Sequence, residues 1–145
     1  VIFCFSIYLR RTLTIDSPVS VIPASTKRVF IVDDSADVRE LFTLLAQLNG
    51  FILETAKNGE EALKKLASLE TEPSIVFVDL NMPVMSGTEF LREVCERGLA
   101  ASSHIVIFSA TDKGSLACFD RSLTWLAKPF ELEDVLKAIN LPRLH

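Results

Sequence analysis

Basic charge, paired cysteines and membrane-length apolar runs are all scarce in this chain, and each scarcity removes a class of function. Lysine and arginine number 15 against 19 aspartates and glutamates, giving a net charge of −4 with two histidines left neutral. A nucleic-acid binder needs a basic stripe to neutralise phosphates, so direct nucleic-acid recognition is not expected. The three cysteines, Cys4, Cys95 and Cys118, are odd in number and carry no metal-ligand spacing. They read as reduced thiols of a cytosolic protein. The apolar run Val1 to Leu9 has nine residues, far short of the ~20 that span a bilayer.

What remains is ordinary globular material. Hydrophobic residues make up 49% and charged residues 23% of 145 residues, enough for one domain with one core and unlike a disordered chain or a disulfide-stapled miniprotein. Residues 1–27 differ from the rest: the apolar run is followed by Arg10-Arg11 and a Ser/Pro/Thr-rich stretch to Thr26. A secretory signal places its positive charge before the apolar run, not after it. Because the chain begins with Val, residues 1–27 are expected to be a disordered extension or a start-site artefact. The competing expectation is the end of a membrane helix with Arg10-Arg11 as its cytoplasmic flank. The domain is expected to occupy residues 28–145.

From Arg28 onward, short apolar runs alternate with amphipathic stretches. Val29–Val32, Ile75–Val78 and Ile105–Phe108 are continuous, β-branched and aromatic, the pattern of strands buried on both faces of a parallel sheet. Phe51–Ala56 is a weaker strand and Leu123–Ala127 a short one. Between them, Val38, Leu41, Phe42, Leu45 and Leu48 recur at helical steps, as do Ala62, Leu63 and Leu66, then Phe90, Leu91, Val94 and Cys95, and finally Leu132, Val135, Leu136 and Ile139 before Pro142. Asn58 with Glu61 and Ser86 with Glu89 have capping-box spacing or a close variant. Asp112–Asp120 is the least regular helical stretch. Strand and helix thus alternate five times, which predicts an α/β fold: a doubly wound, five-stranded parallel sheet flanked by helices.

Right-handed crossovers place all strand carboxyl ends on one edge, where ligands bind in such sheets. The first strand runs into Asp33-Asp34, the third into Asp79 and the fourth into Ser109, while Lys128-Pro129 follows the fifth. Singly, each has a structural explanation as a cap, a turn residue or a solvated charge. Together, three carboxylates repel one another unless a cation or shared protons relieve them. Hard oxygen ligands suit Mg²⁺, and no cysteine or histidine sits at these strand ends to suggest a softer metal.

The set V-D-D-S at 32–35, V-D-L-N-M-P-V-M-S-G at 78–87, S-A-T at 109–111 and K-P-F at 128–130 resembles the response-regulator receiver domain of two-component signalling, over residues 28 to about 140. The resemblance implies a flavodoxin-like receiver fold and a cytoplasmic phosphorylatable switch. Asp79 corresponds to the phosphoacceptor, charged by a histidine kinase, a histidine phosphotransfer protein or a small acyl phosphate. Asp33 and Asp34 match the acidic pair that holds Mg²⁺ together with Asp79 and the carbonyl of Asn81. Lys128 matches the phosphate-pairing lysine, in a cis Lys128–Pro129 turn, and Ser109 the switch hydroxyl. Trp125 falls where the family carries an aromatic that turns inward on activation.

The spacing from Ser109 to Lys128 is short for the family by nearly a helical turn, and Asp120-Arg121-Ser122 replaces the family's usual turn before the fifth strand. Both put the output surface in doubt, not the phosphorylation chemistry. Two other classes remain: a scaffold that uses the fold without phosphorylation, which usually lacks part of the acidic set, and a Mg²⁺-dependent phosphohydrolase, which needs D-x-D-x-T where this chain has Asp33-Asp34-Ser35. No second domain fits after Lys137-Ala138-Ile139-Asn140. Output is therefore expected through a downstream protein target, or the chain is a piece of a hybrid kinase or larger regulator. No membrane contact is expected for residues 28–145.

Overall fold

The computed structural model describes residues 27–109 and 123–140. Five strands appear where the apolar runs place them, each lengthened or trimmed by a residue or so: β1 (Arg28–Val32), β2 (Ile52–Ala56), β3 (Ile75–Asp79), β4 (His104–Ser109) and β5 (Thr124–Ala127). Four helices lie between and after them: α1 (Ala36–Asn49), α2 (Gly59–Ser68), α3 (Gly87–Glu96) and α4 (Leu132–Ile139). The helix expected over Asp112–Asp120, the turn at 120–122, Cys4, Cys118, Pro142 and residues 1–26 lie outside the described residues.

All pairings are parallel, in the order β2-β1-β3-β4-β5. Alternate residues of the central strands supply two cores. Phe30, Val32, Val76, Val78, Ile105 and Ile107 face α2 and α3, burying Leu63, Leu66, Phe90 and Val94 against them. Val29, Ile31, Ile75, Phe77, Val106 and Phe108 face α1 and α4, with Phe42, Leu45, Val135 and Ile139. Burial on both faces explains why these strands are unbroken apolar runs rather than alternating ones.

The helix starts are fixed by polar side chains. Ser35 caps α1 by accepting the Val38 N–H at 3.4 Å, and Asn58 caps α2 by accepting from Glu61. At α3 the box is complete, with Ser86 Oγ accepting the Glu89 N–H and Glu89 Oε2 accepting the Ser86 N–H. At α2 the Glu61 carboxylate reaches instead to the N–H of Lys57, one residue further out. Leu48, placed by its spacing on the core stripe of α1, is 71% exposed. At about 100° per residue it lies roughly a quarter-turn off the line through buried Phe42 and Leu45, in the last turn before the Gly50 cap.

Gly87 opens α3 beneath the end of β3. A Cβ there would lie 2.2 Å from the carbonyl oxygen of Asp79 and 2.7 Å from Leu80 Cα. Those are backbone atoms that cannot rotate away. Gly87→Ala should therefore cost about 2–3 kcal/mol through overpacking alone. Urea unfolding should show the lowered midpoint, and an unchanged midpoint would mean that the β3–α3 loop can back away.

Candidate functional site

The strand order reverses between β1 and β3, whose carboxyl ends open the crevice where ligands bind in open α/β sheets. Asp33 directly follows β1 and Asp79 ends β3; both are buried, at 0% and 4% exposure, while Asp34 is exposed. One carboxylate oxygen from each of the three can be chosen so that all lie within 4.8 Å of one another.

Each buried carboxylate is held at both oxygens. Asp33 Oδ1 accepts the Ser35 N–H at 2.9 Å, and Asp79 Oδ1 accepts the Asn81 N–H at 3.0 Å. Their other oxygens share Lys128, whose Nζ donates to Asp79 Oδ2 at 3.1 Å and to Asp33 Oδ2 at 3.3 Å. Lys128 comes from the far end of the chain, and the segment that carries it is anchored by a ring. Phe130 stacks on Phe108 with centroids 4.6 Å apart, Phe108 stacks on Phe77 at 5.3 Å, and Phe42 meets Phe77 edge-on at 4.9 Å. Offset aromatic contacts add to area burial. Here they tie the middle of β3 and the end of β4 to the segment after β5. The Lys128–Pro129 peptide is cis, in line with the resemblance.

Burial pushes the Asp33 carboxyl above its ordinary value and the neighbouring Asp79 charge adds to this, against the pull of the Ser35 N–H and Lys128. Burial acts to lower the Lys128 ammonium as well, but hydrogen bonds and charges from Asp79 and Asp33 outweigh it and leave the ammonium raised. Lys128 is thus held as a cation between two carboxylates. It supplies one positive charge to a cluster of three acids, one of them facing solvent. Such a set of hard oxygen donors, open to water on one side, fits a small divalent cation of the Mg²⁺ kind. Among the described residues no histidine joins it: His104 lies at the opposite end of β4, with its Nε2 2.7 Å from Thr124 Oγ1.

The remaining sequence-derived residues lie on β4, β5 and the loop after β3. Asn81 follows in the β3–α3 loop. Ser109 ends β4 and pairs in register with Ala127, next to Lys128; its side chain lies outside the described atoms. Trp125 pairs in register with Ile107 and packs, half-buried, against the core on the α2–α3 side. Sequence reasoning missed Arg39. Its Nη1 reaches back from α1 to donate to the Asp33 carbonyl at 2.7 Å. The only available signal was a lone cation two helical steps beyond the acidic pair, indistinguishable from a solvated surface charge.

No helix among the described residues is long and apolar enough to cross a membrane. Residues 29–140 match the response regulator receiver domain. The chain is 39% identical over 115 residues to the positive alginate biosynthesis regulatory protein of Pseudomonas aeruginosa, covering 77% of this chain and 45% of that protein. To the chemotaxis protein CheY of Bacillus subtilis it is 33% identical over 117 residues, covering 78% of this chain and 94% of that one. It therefore spans less than half of the first relative and nearly all of the second. Among solved structures it is similar to the response regulator protein TrrA from Thermotoga maritima in complex with Mg²⁺-BeF, with a TM-score of 0.61, 31% identity and coverage of 78% of this chain and 98% of that one. With its doubly wound sheet and acidic carboxyl edge, the chain belongs to the response regulator receiver domain family, the signalling domains of two-component systems.

Proposed function

We propose that this domain, spanning residues 28–145, is a switch that accepts a phosphoryl group on Asp79 and then alters its output face. The observation that carries the reading is the shared ammonium of Lys128, 3.1 Å from Asp79 and 3.3 Å from Asp33, within a cluster of three carboxylates. An anionic carboxylate attacks a phosphoryl dianion only if their repulsion is neutralised where it develops. Lys128 is positioned to pair with the incoming phosphoryl oxygens. In the transfer, a carboxylate oxygen of Asp79 forms the new P–O bond as the P–N bond of a donor phosphohistidine breaks; the electron pair stays on that nitrogen, and the imidazole, already protonated on its other nitrogen, leaves neutral. Asp33, Asp34, Asp79 and the Asn81 carbonyl would hold Mg²⁺, which supplies charge neutralisation for the phosphoryl oxygens. The Mg²⁺-BeF complex of the Thermotoga relative supports that choice of ion.

The donor is a histidine kinase or a histidine phosphotransfer protein, and the receiver of the signal a downstream protein target, in the cytoplasm. Ser109, adjacent in register to the residue before Lys128, is the hydroxyl that meets the phosphoryl group once it has arrived. Turnover is limited to slow autodephosphorylation.

Treatment with acetyl phosphate and Mg²⁺, followed by borohydride trapping and mass spectrometry, should locate the modification on Asp79 alone. Asp79→Asn should abolish labelling and keep the fold, the two side chains being nearly isosteric. Label persisting at wild-type level in that variant would refute the assignment.

Mg²⁺ should raise stability by about 1.4–2.7 kcal/mol at ten- to a hundredfold over its dissociation constant. Asp34→Asn should stabilise the metal-free protein and lose most of this increment. Calorimetric melting with and without Mg²⁺ tests both signs.

Trp125, the single tryptophan of the chain, should report activation. Beryllofluoride with Mg²⁺ should change its emission, with the change absent in Asp79→Ala and reduced in Ser109→Ala. An unaltered spectrum in protein that demonstrably binds the mimic would assign output to another surface.

A further inference from the structure

We propose that Arg39 is a positioning residue for the metal site, acting through the peptide plane that joins Asp33 to Asp34. The proposal rests on the Mg²⁺ reading above. Every polar group of Asp33 is engaged: its N–H donates to Ala56 at 3.1 Å, its carboxylate accepts from Ser35 and Lys128, and its carbonyl accepts from Arg39 Nη1 at 2.7 Å. That carbonyl belongs to the same rigid plane as the N–H of Asp34. Fixing it fixes where the Asp34 backbone leaves the plane. Asp34 is the exposed acid of the cluster, so unlike Asp33 and Asp79 it is not held in place by burial.

Arg39 is well placed for this. It lies in the first turns of α1, and its own N–H donates to the Ser35 carbonyl at 3.2 Å, so its backbone is fixed relative to the turn it clamps. A charge-assisted bond of this length is stronger than a neutral one, and it falls in a half-buried setting where the guanidinium is screened less than at the surface. The same turn carries the Ser35 cap and both acids of the pair.

The sign of the effect separates positioning from simple charge. Arg39 is a cation near an acidic cluster, so a purely through-space role predicts that removing its charge strengthens cation binding. Positioning predicts the opposite, because Asp34 is freed to turn away. Outer partners of metal ligands typically cost 10–100-fold in affinity when removed, and a backbone tether one step further out should cost about 3–10-fold.

Titration calorimetry with Mg²⁺ alone tests this on the full chain. Arg39→Met has no donor and keeps the packed stem, and Arg39→Gln keeps only an uncharged amide donor that ends where the guanidinium Nε lies, short of the Nη1 that meets the Asp33 carbonyl. Each should weaken Mg²⁺ binding about 3–10-fold while shifting the metal-free melting temperature little, and Arg39→Lys should recover part of the loss. Equal or tighter binding in the folded Gln or Met variant overturns the proposal and leaves the site reading intact. So does a lowered melting temperature with unchanged affinity, which assigns Arg39 to the fold alone. Absence of Mg²⁺ binding in the unmodified protein, or binding undiminished in Asp34→Asn, overturns the site reading instead, and this inference with it.

Discussion

Two carboxylates buried side by side stand only if an opposite charge is brought to them, and Lys128 is that charge. Asp33 and Asp79 are nearly inaccessible to water and point oxygens at the same ammonium. Removing one partner of such a group leaves an uncompensated buried charge, which is far costlier than losing a surface pair. The tertiary structure can be read as the means of delivering Lys128. Ninety-five residues of chain separate it from Asp33, and the closure depends on β5 pairing with β4 and on Phe130 stacking against Phe108.

The same arrangement holds the three acids unequally. Two acids are locked by backbone N–H groups and the shared lysine, and the third is left at the surface. Net negative charge persists after Lys128 has been counted, which favours a divalent cation over a second lysine. The buried acids set the geometry, and the exposed one leaves the cluster open to water.

The opposite flank of the sheet is less constrained. Every residue of β3 is buried, whereas Thr124 to Leu126 of β5 are half-buried and Ala127 is exposed. Strand β5 carries Trp125 in register with Ile107, two residues before Ser109, and leads directly into Lys128. Asp79 is thus joined through Lys128 to a strand that has no fully buried residue.

Much of this was legible in the amino-acid sequence, for a physical reason. Strands covered on both faces are apolar along their length, so β1, β3 and β4 stand out as runs, and the polar residues that end them, Asp33, Asp34, Asp79 and Ser109, mark the carboxyl edge of the sheet. The caps at Ser86 and Asn58 are local and could be read by spacing. Other features belong to the tertiary structure alone. Leu48 satisfied a helical spacing and still faces solvent, because spacing gives a stripe but not its centre. Phe130 looked like one more apolar residue until its ring was placed on Phe108. Arg39 looked like a surface cation until its guanidinium was placed on the Asp33 carbonyl. The sequence determined which residues gather at the sheet edge, because covalent order and burial are local constraints. Which of them share a lysine ammonium, and which carbonyl an arginine clamps, was decided by distances between segments that no local pattern encodes.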